Sequence, residues 1–479
     1  MKKKLLITLL VIALILAALF AWIWRGDPAE LSVDEVSGTD PTLVEGDSQM
    51  IPTVAIAEPV GWAEGELPDA PTGYTVNRFA EGLEHPRVLY TLPNGDVLVT
   101  LTRAPAGEGG GLMGWIADKL MSRAGAGGVS PDQLVLLRDA DGDGVAEVRT
   151  VLRDDLASPS GIAWEDGKLW IANHDALLEF DYALGAPKVT GTPRKLMDLP
   201  AAGNHWMRNI AKDPDEPLLY IAVGSASNIG ENGQEAEEGR AMIWSYDLDK
   251  KRQAPWAVGL RNANGLAFAP WSGRLWTTVN ERDMLGSDLV PDYLTDVPFG
   301  ANYGWPWVYW RFERDMRVDW PMPRFLEEYA RKPVYAMGPH VAALGVAFTP
   351  EGHRMGETFG SGAFVARHGS WNRKPPSGYD VVFVDFDERG RPVGTPQTVL
   401  GGFLTGEGTT RGRPTWVAFD NTGALIVSDD TAGIIWRVIK EDAEPAPAIE
   451  RLNYGRLPSR ATGANPAGAS FGEDYARTN

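Results

Sequence analysis

Six times between His85 and Asp430 the chain repeats one local pattern: an apolar run, a tight turn built from Pro, Gly, Asp or Asn, and a second apolar run. The units read HPRVLYTLPNGDVLVTL from His85, SPSGIAWEDGKLWIAN from Ser158, WMRNIAKDPDEPLLYIAVG from Trp206 and NANGLAFAPWSGRLWTTVN from Asn262. The last two are ALGVAFTPEG with GAFVARHG from Ala343, and RPTWVAFDNTGALIVSDD from Arg413. Strand, turn chemistry and strand in that order predict β-hairpins. A single hairpin cannot bury its own apolar face, so six of them predict an all-β architecture in which each unit covers the next. A six-bladed β-propeller satisfies this. Because the spacing is uneven, so do a pair of β-sandwiches and an irregular all-β fold. A length of 479 residues does not choose among them, since propellers often run long as one unit.

The two ends read differently. Lysines at positions 2–4 precede an apolar run from Leu5 to Trp24 that is broken only by Thr8. About 20 apolar residues suffice to cross a bilayer core as a helix. Ala17, Ala18 and Ala21 make a poor cleavage site, so residues 1–25 are expected to be an uncleaved transmembrane signal anchor. Lysines before it and only Arg25 just after it put the N-terminus in the cytoplasm and the globular part outside, in the periplasm or its equivalent. Residues 26–71 are acidic and rich in Pro, Gly, Ser and Thr, which predicts a flexible tether. Residues 441–479 predict a disordered tail. The propeller domain is then 72–440.

Charge and cysteine narrow the function classes. A net charge of −19, with no basic block beyond the first residues, excludes the concentrated basic face that a nucleic-acid partner needs. The absence of cysteine excludes disulfides, thiolate metal sites and cysteine nucleophiles. DADGDGVAE, from Asp139 to Glu147, imitates the start of a calcium loop, but Thr150 stands where a bidentate glutamate is expected and the flanks read as strands, so a surface hairpin turn is the better reading. Between Gly-rich flanks, GLMGWIADKLMSR from Gly111 to Arg123 places Leu112, Met113, Ile116 and Leu120 on one helical face, as in a helix packed on the propeller edge.

Polar, chemically active residues gather in four stretches: GNHWMRN from Gly203, GLRNANGLAF from Gly259, VNERDMLGSD from Val279 and GANYGWPW from Gly300. RHGSWNR from Arg367, TRGRPTW from Thr410 and GPHVAALG from Gly338 add to them. Loops carrying such residues on a rigid β scaffold are where binding sites form. Over Tyr74 to Val438 these motifs, in order and spacing, resemble the glucose/sorbosone dehydrogenase family, whose members use pyrroloquinoline quinone (PQQ) and calcium on a six-bladed β-propeller.

The resemblance implies roles, residue by residue. Arg261 and Asn262 match an Arg-Asn pair in which the arginine stabilises charge developing on the quinone oxygen. Arg411 and Arg413 match a pair facing the cofactor carboxylates, and Arg373 and His340 are further cofactor candidates; planar guanidinium groups suit a tricarboxylate. Glu281, Arg282 and Asp283 fall where the family holds calcium, largely through backbone carbonyls. His205 matches the general base, which removes the sugar hydroxyl proton. Ser225 stands where glucose-specific members place an aspartate that orients this base, a departure that points to the sorbosone-like branch. Tyr303 and Trp305 are placed to stack on a sugar or wall the cofactor, although blade packing explains two aromatic residues equally well.

The function implied is oxidation of an aldose or sorbosone-like aldehyde to a lactone or acid, with electrons passing to an unidentified acceptor. A calcium-dependent lactonase and a non-catalytic propeller binding a sugar or an envelope protein are the alternatives that the repeat pattern alone also permits.

Overall fold

The computed structural model describes residues 4, 7–15, 25–105, 119, 122–125, 127–201, 203–406 and 408–452. Six antiparallel sheets are arranged as blades around an axis. Five have the strand order of a simple meander, beginning with inner strands Pro86–Thr91, Gly161–Glu165, Ile210–Lys212, Ala263–Ala269 and Ala343–Phe348. The sixth starts at Pro414–Phe419, continues through Leu425–Asp429 and Ile434–Ile439, and takes its fourth strand from the other end of the domain, Thr75–Ala80. Each inner strand packs against those of the neighbouring blades, so the six close into a ring. All six sequence units supply an inner strand and the strand after it, which is why their first apolar runs are buried on both faces, as Val88 and Leu89 are in the first blade.

Strand direction sets what lies where. Every inner strand begins on one face of the ring, here the upper face. His85 sits on it, since its carbonyl accepts the amide of Thr102 at the end of the next strand. The turn from Asp139 to Glu147 lies on the opposite, lower face, after strand Gln133–Arg138. In that turn the carboxylates of Asp139, Asp141, Asp143 and Glu147 come within 4.8 Å of one another and accept the turn's own amides, including Gly142 and Gly144 on Asp139. It is the hairpin turn expected.

Residues 26–71 differ from the expected flexible tether. They form a strap laid over the upper-face loops. Asp288 accepts the amides of Glu30 (2.7 Å) and Leu31 (3.1 Å), and Asn372 donates to the carbonyl of Thr53 at 2.8 Å. Trp62 donates its indole N–H to Asp429 at 3.1 Å, and Glu66 pairs with Arg411 at 2.7 Å. Ser37–Gly38 adds a fifth strand to the edge of the fourth blade. The composition is polar, yet Val36, Thr53 and Ala57 are buried, so a few spaced small and apolar residues fix a segment whose remaining groups hydrogen-bond to loops. The tail expected from 441 is likewise packed as far as the structure describes it: Leu452 donates its amide to Trp271, and Ile449 and Leu452 rest on a core cluster.

Among the described residues no helix is long and apolar enough to cross a membrane. Of the expected anchor only Lys4, residues 7–15 and Arg25 are described; 7–15 are helical, with Ile7, Leu9, Leu10 and Leu14 exposed. Most of the helix expected between Gly111 and Arg123 also falls outside the described residues.

The strap tests itself through Asp288. Asp288→Ala removes the carboxylate beside the buried Arg373 and both amide contacts to the strap. Breaking one partner of a buried pair costs about 3–5 kcal/mol. Urea unfolding of this variant should therefore show a loss of that size, and a change within surface-mutation range would mean that the strap is not part of the cooperative fold.

Candidate functional site

The upper ends of the inner strands bring the polar motifs together in two arcs around the axis. The first spans blades three to five and holds His205, Arg261, Asn262, Asp283 and His340. Arg261 is buried and saturated: it donates to the carbonyls of Asn228 (3.0 Å), Asn280 (3.3 Å) and Glu281 (2.6 Å), to the Asn228 side chain (2.9 Å) and to Asp283 (3.0 Å). Asp283 also lies 3.5 Å from Nδ1 of His340, whose Nε2 contacts the Gly286 carbonyl at 3.0 Å. Burial disfavours the charge of Asp283, but Arg261 and His340 more than offset it, so its carboxyl lies below the usual range. For the same reason His340 is raised: burial opposes its charge and Asp283 outweighs burial.

His205 keeps part of its ring open on this arc. Its Nδ1 lies 2.8 Å from the carbonyl of Ser225 and 3.0 Å from the Ser225 hydroxyl, which itself donates to Ser227 O at 2.6 Å. A carbonyl only accepts, so the network assigns the proton to Nδ1 and leaves the Nε2 lone pair free. Burial, assisted by the nearby Arg261, lowers this imidazole to about 3. It is a neutral acceptor of fixed tautomer at ordinary pH. The orienting aspartate missing from the sequence is thus replaced by a backbone carbonyl of the residue at the same place.

The second arc, on blades five, six and one, is centred on Asp430. This buried carboxylate is 2.5 Å from Nη1 of Arg87, 3.0 Å from Nε2 of His368 and 3.4 Å from Nδ1 of His85. Burial alone would raise it, but the two histidines and Arg87 hold it well below the usual carboxylate range. His85 is pushed down to about 3 by burial, and His368 is lowered by the same cause. Arg413 stands beside this group, with Nη2 2.8 Å from the Tyr379 hydroxyl and its guanidinium 5.0 Å over that ring. Arg87 joins the arcs: it lies over the Trp206 ring at 5.7 Å and contacts Met207, immediately after His205. Nε of Arg87 and of Arg413 is buried without a hydrogen-bond partner, as is Nε of Arg103, Arg208, Arg331 and Arg373 elsewhere in the fold.

Several residues expected in the site serve the scaffold instead. Arg373 donates to Pro375 O and Leu31 O and faces Asp288, holding the strap. Arg411 pairs with Glu66 and lies 5.5 Å over Trp62, again on the strap. Arg282 turns into the core, where it meets Glu281, Asp315 and the carbonyls of Pro306 and Val308. The Glu281 side chain is spent on that contact. Tyr303 is buried, stacks on Tyr293 and donates to the Asp296 carbonyl. Trp305, also buried, donates to Asn228 O at 3.1 Å, behind Arg261. Both aromatics therefore pack rather than stack on a ligand. Asn262 remains at the site, 3.3 Å from Asn280.

Comparison with known proteins fits this geometry. The sequence profile of the TrAA12-like family matches residues 128–296 and 326–442. The chain belongs to the TrAA12-like family. Aldose sugar dehydrogenase YliI of Escherichia coli is 29% identical over 287 residues, which cover 54% of this chain and 67% of that protein. The calcium structure of the Trichoderma reesei Carbohydrate-Active Enzymes Family AA12 protein superimposes with a TM-score of 0.63 at 19% identity, over 78% of this chain and 97% of the other. The holo form of the pyranose dehydrogenase PQQ domain from Coprinopsis cinerea gives 0.61 at 20% identity, over 80% of this chain and 100% of that domain. At these identities the two superpositions establish the shared propeller. The profile match and the Escherichia coli relative bear out the family resemblance seen in the loop motifs.

Within this TrAA12-like site, sequence reasoning missed His85, Arg87, His368 and Asp430. A signal existed: aligning the six units on their inner strands puts His85 and Arg87 at the start of the first unit, as Arg261 is at the start of the fourth, and Asp430 at the end of the last. Two of the lowered histidines, His85 and His205, also predict a pH effect. Unfolded histidine takes a proton below about 6.5, whereas His85 and His205 do so only near 3 in the folded chain. Between those values the unfolded state binds more protons, so each histidine costs stability as pH falls. His340, which is raised, and Asp292, pushed up to about 7 by burial, act in the opposite sense over part of this window. The double variant His85→Gln, His205→Gln should therefore lose less stability than the parent when urea midpoints at pH 7 and pH 4.5 are compared; an equal loss would show that the two imidazoles are not held neutral.

Proposed function

We propose that this protein is a PQQ-dependent sugar dehydrogenase that oxidises an aldose or sugar aldehyde to the corresponding lactone or acid. The observation that carries the reading is the pairing of a buried arginine group with unused donors against a fixed, neutral histidine base on the same face. Arg87 and Arg413 bring two guanidinium groups to one arc, each with its Nε unused within the protein, and planar guanidinium groups suit a planar tricarboxylate. A lactonase has no such anion to hold. When bound, PQQ supplies an ortho-quinone that takes hydride from the sugar carbon.

The residues of this chain do the remaining work. Nε2 of His205 receives the hydroxyl proton of the sugar, while the Ser225 carbonyl keeps Nδ1–H pointed away and so prevents the wrong tautomer. Asn280 O, Glu281 O and the Asp283 carboxylate already surround one cation, the Arg261 guanidinium. Oxygen ligands of that kind suit calcium, which we place at this loop. Those oxygens would hold calcium, a Lewis acid toward cofactor oxygen, and Arg261 beside them would offer a positive donor where charge develops. Asn262 and His340 support the same side of the site. An external electron acceptor completes the cycle.

The apolar run from Leu5 to Trp24, with lysines before it, supports a membrane-anchored protein whose propeller is extracytoplasmic. The acidic surface supports a small neutral or sugar-like substrate rather than a polyanion.

Reconstitution with PQQ and calcium, followed by stopped-flow reduction of the bound cofactor over a panel of sugars and sugar aldehydes, tests the reading. His205→Gln should lower the reduction rate by about 10²- to 10⁴-fold with cofactor binding kept. Reduction near the parent rate would make His205 structural. In the binding arm, Arg413→Ala should weaken PQQ by about 1.5–3 kcal/mol, the worth of a charge-assisted hydrogen bond. Arg373→Ala should leave cofactor affinity unchanged and lower stability instead, because its partners are Leu31 of the strap and Asp288, which holds the strap. The reverse pattern would return Arg373 to the cofactor site.

A further inference from the structure

The point where the chain leaves the propeller toward its N-terminus lies on the upper face, beside an exposed apolar patch. Asp27 receives a hydrogen bond at its carboxylate from the Ser287 amide (3.2 Å) and donates its own amide to the Thr53 hydroxyl (2.9 Å). Ala29 donates to Lys374 O at 2.7 Å. Residue 26 is thus fixed on the loops that follow the strands of blades four and five. Thr53 is held by Gln49, and between them the strap turns outward at Met50 and Ile51, which are 96% and 55% exposed. Trp371, 41% exposed, adjoins them: its carbonyl accepts the amide of Ala55 at 2.9 Å, and the next residue, Asn372, binds Thr53 O. Asn372 also accepts the amide of Met284 at 2.9 Å, directly after Asp283 of the first arc.

Anchor exit, apolar patch and site therefore share one face within a few residues of one another. We infer that the upper face rests on the bilayer surface, with Met50, Ile51 and Trp371 dipping into the boundary between headgroups and acyl chains, so that the site opens next to the membrane. The inference rests on the anchor reading given above. An apolar run beginning within two residues of the fixed Gly26 leaves little chain with which to hold the domain away from the lipid, since an extended residue spans only about 3.3–3.6 Å. Met, Ile and Trp are side chains suited to that depth of a bilayer. The overall charge of −19 opposes attraction to anionic lipid, so the contact is apolar rather than electrostatic. On the lower face the exposed apolar residues Val145, Leu184, Phe299 and Val393 lie in four different blades.

The absence of native cysteine makes the test direct. Met50→Cys and Val145→Cys, each the only thiol in a full-length chain and each at an exposed position, are labelled with a thiol-reactive fluorophore. Both are reconstituted into phosphatidylcholine vesicles containing chain-brominated phosphatidylcholine, a quencher confined to the bilayer. The expected result is loss of fluorescence at position 50 and none at 145, with both proteins floating with the vesicles. Adding Ile51→Asp to the Met50→Cys chain should reduce that loss without releasing the protein. A chain that floats but is quenched at neither position, or equally at both, overturns the orientation while leaving the anchor standing. A chain that does not float overturns anchor and orientation together, and leaves the cofactor chemistry untouched.

Discussion

Pairing of Thr75–Ala80 with Ile434–Ile439 joins the two ends of the domain, and the site depends on that closure. Bringing together residues some 350 positions apart costs on the order of 5 kcal/mol in loop entropy. Ladder hydrogen bonds at about 1 kcal/mol each barely cover it. Burial does the rest: Phe79 on the incoming strand and Ile435, Trp436 and Val438 on its partner are almost wholly withdrawn from water, at about 1.5–3 kcal/mol for each aliphatic or Phe side chain. An open ring would leave Arg413 and Asp430 on one side of a gap and His85 and Arg87 on the other. The second arc exists only because blade six meets blade one.

The strap adds a second constraint of the same kind. It ties loops from blades four, five and six through Asp288, Asn372, Asp429 and Arg411. Those loops carry Asp283, His368 and Arg413. Backbone carbonyls of a mobile loop could not hold a cation or a proton acceptor to the few tenths of an ångström that such chemistry needs. Here a segment of polar composition supplies the stiffness, by donating amides to buried carboxylates and accepting from buried side-chain amides.

Charge is managed within each arc. Asp283 balances Arg261 and His340, while Asp430 balances Arg87 beneath two histidines that stay neutral. Neither carboxylate could remain ionised at such depth without its cation. Burial first, and then the neighbouring guanidinium, holds His205 and His85 unprotonated against the opposing pull of Asp283 and Asp430.

The sequence by itself determined the repeat. Each unit carries its own strand periodicity and turn residues, and those are local properties readable without partners. Through the family resemblance of its loop motifs it also singled out His205, Arg261, Asn262, Asp283, His340 and Arg413, which the fold brings to one face. Tertiary structure alone decided which arginines face the site. Arg373, Arg411 and Arg413 are chemically identical in the sequence, yet two are claimed by a strap more than 300 positions away, Arg373 by Leu31 and Arg411 by Glu66, with Asp288 of the fourth blade also facing Arg373. Likewise nothing local distinguishes Asp430 from Asp429. One receives Arg87, which reaches it from the first blade only when the ring closes, and His368 of the fifth blade; the other receives the indoles of Trp62 on the strap and Trp436 of its own blade.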